Sequence, residues 1–182
     1  MADPAASTAP HVTLRPASPD QLSAVADLLN RAYRQPGWNS EAELLGGQRA
    51  DETMLRDDLA RTPGGQLMVW QPDPKQPPRA SVWLADEGRG IWYLGSLAVD
   101  TAAQSGGIGG QVLAAAEAYV RARAGTRLRM QVIGQRDSLI AWYERRGFTR
   151  TGRSAPFPYG DDRFGIPRRD DLAFIELAKT LR

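Results

Sequence analysis

Three consecutive segments, GQLMVWQ from Gly65, RASVWLADE from Arg79 and GIWYLGSLAV from Gly90, are rich in β-branched and aromatic residues and are separated by PDPKQPP and EGRG. Proline and glycine clusters of this kind break regular structure, and the runs between them are of a length and type that suit pleated strands. The simplest solution is three strands joined as antiparallel hairpins, and the other elements must then be fitted around that sheet. Upstream, HVTLRPAS from His11 to Ser18 alternates Val12 and Leu14 with polar neighbours and predicts a first strand. Ser18 then suits an N-cap with Pro19 and Gln21 behind it, and Leu22, Val25, Leu29 and Ala32 share one helical face. A second helix is predicted from about Asp51 to Arg61, after the breaker-rich segment QPGWNSEAELLGGQRA. Downstream, a helix through Val112, Leu113, Ala116 and Val120 ends at Gly125, RLRMQVI reads as a strand, and DSLIAWYERRG is a short helix capped by Gly147. FTRTG and DDLAFIELAKTL supply two final strands, joined by a loop of about sixteen residues. The fold class is α/β (α+β), with a mixed, mostly antiparallel sheet of about seven strands and about four helices.

At 182 residues the chain has room for one domain with a sizeable core. We expect residues 1–10 to form a flexible tail and residues 11–182 a single domain. The first ten residues carry Asp3 and no apolar stretch, unlike a signal peptide, and no run approaches the length of a membrane span, so a cytoplasmic protein with no membrane partner is expected. With no cysteine there is neither a thiolate metal site nor a cysteine nucleophile, and no metal is expected. The net charge of +2 gives no footprint for nucleic acid, whereas the short basic cluster at Arg145 and Arg146 suits a small anionic ligand.

QSGGIGGQVLAAAEAYV, residues 104–120, places four glycines within five positions at the mouth of a helix. The N–H groups at a helix start attract phosphate oxygens, and glycine lets them approach, but a bare strand-to-helix turn explains the composition equally well. A nucleotide P-loop is excluded because no lysine follows, and a dinucleotide fingerprint because Val112 stands at its third glycine. Read as Gln104-x-x-Gly107-x-Gly109, the stretch resembles the Gln/Arg-x-x-Gly-x-Gly/Ala signature of the GNAT N-acetyltransferase superfamily. Its place after SLAVD, and the later SLIAWYERRGF with Trp142-Tyr143 and Gly147-Phe148, are similar to that family as well. The resemblance is strong from about Leu67 to Phe148 and loose from His11 to Leu181.

The resemblance implies a V-shaped splay between the fourth and fifth strands that admits the pantetheine arm of acetyl-CoA. Backbone groups of Leu97, Ala98 and Val99 would pair with that arm, and N–H groups of Gln104, Ser105, Gly106, Gly107, Ile108, Gly109 and Gly110 would hold the pyrophosphate. Tyr143 matches the residue that protonates the departing thiolate, although a tyrosine there also suits packing. Trp142 would pack the core or flank the pantetheine, and Arg145 and Arg146 would face the ribose phosphate or merely favour the helix dipole. Arg136 replaces the asparagine that often contacts the cofactor, and the two positions where the family places a glutamate base hold Tyr93 and Gln131. A carboxylate from elsewhere such as Asp100, a water chain, or an amine arriving neutral would have to serve, and His11 reads as exposed or packing. Without cysteine, transfer goes directly to the acceptor, a primary amine of a small molecule or peptide. Trp38, Tyr93, Gln131, Phe157, Tyr159 and Phe164 are candidates to line its pocket, with Glu41, Glu43, Asp161 and Asp162 either attracting a cation or simply solvated. The missing glutamates leave a non-catalytic acyl-CoA-binding protein as the alternative. Similar proteins are often homodimers.

Overall fold

The computed structural model describes residues 11–37, 40–102 and 107–182. Trp38, Gln104, Ser105, Gly106 and the N-terminal tail lie outside the described residues. The described elements are β1 (Arg15–Pro16), α1 (Leu22–Arg34), α2 (Glu41–Leu44), β2 (Leu45–Gly46), α3 (Glu52–Arg61), β3 (Gly65–Trp70), β4 (Ala80–Asp86), β5 (Ile91–Val99), α4 (Ile108–Arg121), β6 (Arg127–Ile133), α5 (Asp137–Glu144), β7 (Thr149–Pro156), β8 (Ile166–Pro167) and β9 (Ala173–Thr180). Among them, seven strands form one sheet in the order β1-β3-β4-β5-β6-β9-β7, and β2 pairs with β8. Every pairing in the large sheet is antiparallel except β5 with β6.

Both faces of the sheet are buried, and β3 shows how one strand serves both. Met68 and Trp70 join the larger core with Leu84, Leu94, Val112, Leu113, Met130, Ile140 and Phe148 on the α4 and α5 side. Leu67 and Val69 turn the other way and pack with Val25, Leu29 and Leu55 of α1 and α3. The alternation follows from the two-residue period of a strand. Helices on both faces thus hold β5 and β6 between them, and the two strands pair only from Ile91 to Tyr93 against Arg127 to Arg129. Beyond Tyr93 they diverge. β6 instead pairs along its whole length with β9, from Arg127↔Thr180 to Ile133↔Phe174.

Several expectations are corrected. The first strand is reduced to Arg15–Pro16, paired with Val69 and Met68; Val12 is buried and Leu14 packs on the core, but neither joins the ladder. Pro16 brings no N–H, which suits the sheet edge. There are five described helices, because Glu41–Leu44 forms a single turn inside the breaker-rich segment. The loop before the last strand is shorter than expected, since β7 runs on to Pro156 through a register shift between Arg150 and Ser154, and Ile166–Pro167 pairs with Leu45–Gly46. Among the described residues no helix is long and apolar enough to cross a membrane.

The end of α4 also differs. The left-handed residue is Ala124 (φ 57°), and Gly125 follows it, with Ala124 N–H bonded to Arg121 O and Gly125 N–H to Val120 O at 3.0 and 2.9 Å. This is a Schellman closure with alanine at the position that glycine normally takes. Gly125 is needed for space, because a Cβ there would stand 2.2 Å from Val120 Cγ1. Ala124→Gly is therefore expected to stabilise the fold by roughly 0.5–1 kcal/mol, read as a rise in melting temperature of about 2 °C.

Candidate active site

The divergence of β5 from β6 opens a cleft of about 490 Å³. Its floor on the β5 side is irregular. Trp83 pairs with Gly95 while Ser81 pairs with Ala98, so β5 carries one extra residue there, and Ser96 takes a left-handed φ of 46°. A bulge of this kind re-aims side chains and ends regular pairing. Tyr93, Gln131, Arg136, Tyr143, Phe157 and Leu97, all named from sequence, line this one cleft.

Tyr143 sits in the last turn of α5. The helix closes as predicted at Gly147 (φ 88°), whose N–H bonds Glu144 O at 3.0 Å while Phe148 N–H reaches Tyr143 O at 3.2 Å. That closure packs the Tyr143 ring edge-on against Phe148 (5.5 Å) and Trp142 (4.9 Å). The ring is 5% exposed. Burial pushes its phenol well above the ordinary value, with Tyr33 adding to the rise and Arg136 opposing it. The hydroxyl therefore keeps its proton through neutral pH.

Gly107 (φ 69°), outside the cleft lining, is the N-cap of α4, and its carbonyl accepts from Gly110 and Gln111 at 3.1 and 3.3 Å. The N–H groups of Ile108 and Gly109 precede the first intrahelical bonds. Arg146 lies against this turn. A Cβ on Gly110 would come within 3.3 Å of its Nη2. The guanidinium stacks 3.7 Å from the Trp142 ring centroid and donates to Trp142 O at 3.0 Å. Trp142 in turn faces Gly109, whose Cβ would stand 3.5 Å from the indole. Arg145, its neighbour, is exposed.

Other predicted residues fall elsewhere. Arg136 is buried and its Nη1 binds Glu41 Oε2 at 2.7 Å, while Arg34 binds Oε1 of the same carboxylate at 2.7 Å. Glu41 is thus a buried bridge between α1, α2 and the start of α5, not a solvated loop acid. The Tyr159 hydroxyl donates to Arg169 O (3.1 Å) and accepts from Leu172 N–H (2.8 Å), which makes it a strut of its loop outside the cleft lining. Asp161 is paired with Arg163, Asp162 opens a helical turn, Glu43 is exposed, and Asp100 accepts from Ala102 N–H at 3.1 Å. His11 is exposed beside the outer face of α4. Ala98 and Val99 have buried side chains. Among the described residues no group of three His, Asp or Glu side chains is placed to hold a metal.

Sequence reasoning missed Tyr33, Arg49, Asp58 and Ser96, which also line the cleft. The Tyr33 hydroxyl donates to Leu97 O at 2.8 Å, and Arg49 Nη2 donates to Ser96 Oγ at 2.9 Å with its guanidinium 5.2 Å from the Tyr33 ring. The Gly95-Ser96 pair inside a strand pattern was the available signal for the bulge. Arg49 had none.

Residues 22–148 match the family model of the acetyltransferase (GNAT) family. Among solved structures, the chain is similar to the ribosomal-protein-S18-alanine N-acetyltransferase of Escherichia coli, at 18% identity and a TM-score of 0.67, covering 93% of each chain. The ribosomal-protein-alanine N-acetyltransferase of Brucella melitensis gives 19% and 0.66, with 93% of this chain and 100% of that one covered. Ard1 of Thermoplasma volcanium gives 16% and 0.67, over 95% and 99%. Comparison with curated protein sequences finds no match.

Proposed function

This chain belongs to the acetyltransferase (GNAT) family, and we propose that it transfers the acetyl group of acetyl-CoA directly to a primary amine of a small molecule or peptide. The observation that carries this reading is that Tyr143 lines the cleft that opens where β5 and β6 stop pairing, while Arg146, three residues further on, lies against the first turn of α4.

The unpaired edge of β5 beyond Tyr93 suits an extended amide-bearing arm, which would add to it like a short strand. The carbonyl of Leu97 is already engaged by Tyr33, so the arm would use its neighbours or displace that bond. The first-turn N–H groups from Gly107 to Gly109 and the Arg146 guanidinium would hold the pyrophosphate. A neutral amine then attacks the thioester carbon, the C–N bond forms as the C–S bond breaks, the sulfur takes the phenolic proton of Tyr143, and the proton shed by the acylated nitrogen returns through solvent to the phenolate. Neither Tyr93 nor Gln131 can act as a carboxylate base, and this observation favours the second reading, a protein that binds acyl-CoA without turnover.

CoA release against amines, amino acids and peptide N-termini separates the two. Turnover that collapses in Tyr143→Phe is the expected result; acetyl-CoA binding by calorimetry with no amine consumed would favour the binding protein, and no binding of acetyl-CoA or a longer acyl-CoA would sink both. Arg146→Gln is expected to raise KM for acetyl-CoA by about tenfold at low salt and less at high salt, with kcat nearly unchanged. Initial-rate kinetics at two ionic strengths checks it.

A further inference from the structure

Most charges lining the cleft are already matched by the protein. Glu41 pairs with Arg136 at 2.7 Å and Asp57 with Arg61 at 3.5 Å, while Arg163 is held by Asp161. Two lining charges of opposite sign remain, Arg49 and Asp58, and neither has an ion-pair partner within 4.0 Å among the described residues. Arg49 is half-buried and fixed on one side, with Nη2 on Ser96 Oγ at 2.9 Å and the Tyr33 ring at 5.2 Å. A guanidinium has five N–H donors in a planar fork, so most of its bonding capacity is left for an acceptor. Asp58, exposed on α3, feels the charges of Arg49, Arg163 and Arg61 without an ion pair to any of them, and its side chain makes no hydrogen bond among the described residues. The same cleft is walled by Phe157, Phe164 and Phe174, whose rings pack edge-on or tilted with centroids 5.6 to 6.4 Å apart.

We propose that the acceptor is an α-amino acid with an apolar side chain, its carboxylate held by Arg49, its ammonium attracted by Asp58 and its side chain set against the phenylalanines. This deepens the transferase reading and rests on it. A polyamine would need surplus carboxylates, and those of Glu41 and Asp57 are spent on the protein's own arginines. A peptide N-terminus would set a neutral carbonyl against Arg49, which forfeits the charge-assisted bonds that a carboxylate makes.

Three probes test the proposal by calorimetry, on the free protein and with CoA present: phenylalanine, phenylalaninamide, which presents the carbonyl of a peptide N-terminus, and 3-phenylpropanoate, which lacks the amine. The wild type should bind phenylalanine about ten- to a hundredfold more tightly than either analogue. Arg49→Gln should erase the preference over the amide alone, and Asp58→Asn the preference over 3-phenylpropanoate alone. Equal binding of the three by wild type, binding of none, or preferences that survive both substitutions would overturn the proposal. These comparisons need no turnover, and the wild-type series needs no variant to fold. Amine turnover without a preference for the free carboxylate would therefore refute the amino acid while leaving the transferase standing, whereas failure to bind acetyl-CoA refutes the transferase itself.

Discussion

Tyr143→Phe is expected to lower kcat for amine acylation by about 10²- to 10⁴-fold, the range supplied by one positioned proton donor. KM for acetyl-CoA should hardly change, because the lost interaction is made only as the C–S bond breaks. The substitution is clean on structural grounds. The ring packs edge-on against Trp142 and Phe148, and phenylalanine keeps both contacts. Burial and neighbouring charges, with no hydrogen bond, act on the hydroxyl, so its removal leaves no buried partner unsatisfied among the described residues. Stability should stay within about 1 kcal/mol of wild type, which separates a chemical defect from a folding one. The pH dependence gives a further check. Burial raises the phenol above its ordinary value near 10, so the protonated donor persists past pH 10. Its contribution to stability is complete below about pH 10, where the unfolded phenol begins to ionise, and is lost as pH rises through the higher folded value. Within neutral and mildly alkaline pH, kcat of the wild type should show no fall from this group. A Phe variant with unchanged kcat would remove Tyr143 from the mechanism.

What was legible in the sequence was what local physics controls. The hairpins from Gly65 to Val99, the glycine closing α5 and the start of α3 each depend on a few adjacent residues, and the structure adds that Asp51 accepts from Met54 N–H at 2.8 Å. The convergence of Tyr93, Gln131 and Tyr143 on one cleft followed from the family signature, which carries a tertiary arrangement that periodicity cannot. The misses share a different cause. Glu41 lies in a breaker-rich segment, and only partners 7 residues before it and 95 after it make its carboxylate a buried bridge. Arg49 likewise sits in a connection, and its role depends on a bulge at Ser96, 47 residues away. A charge in a loop looks solvated until the fold supplies its neighbours. Ala124 failed for the opposite reason: a local rule favoured glycine as the helix stop, and glycine was adjacent, but crowding by Val120 and Trp92 claimed it for the next position.

Glu41→Ala is expected to destabilise the protein by about 3–5 kcal/mol, the cost of breaking a buried ion pair by removing one partner. Glu41 is 7% exposed and Arg136 6%, and the two Arg34 and Arg136 guanidiniums approach its carboxylate at 2.7 Å each. Alanine leaves both cations without the anion they share, in a site where water cannot fully replace it. The Arg34 Nη2 is already buried without a hydrogen-bond partner among the described residues, so the site has little capacity to absorb a second loss. Glu52 provides the control. Its i,i+4 pair with Arg56 is exposed on both sides, with side-chain exposures of 44% and 58%, and Glu52→Ala should cost under about 1 kcal/mol. Urea denaturation measures both, the signature being a lower midpoint at unchanged slope. A double-mutant cycle then localises the effect. Replacing Glu41 and Arg136 together by apolar residues of similar size should recover part of the loss, because no buried guanidinium at the head of α5 then faces the missing carboxylate. The recovery should be partial, since Arg34 still faces the vacated carboxylate position. A Glu41→Ala penalty no larger than that of Glu52→Ala would show that the bridge holds nothing together. The alternative result connects stability to the cleft, because Arg136 is the N-cap of the helix that carries Tyr143. Loosening that cap should let the phenol wander from the cleft, so that kcat falls with stability in Glu41→Ala but not in Glu52→Ala.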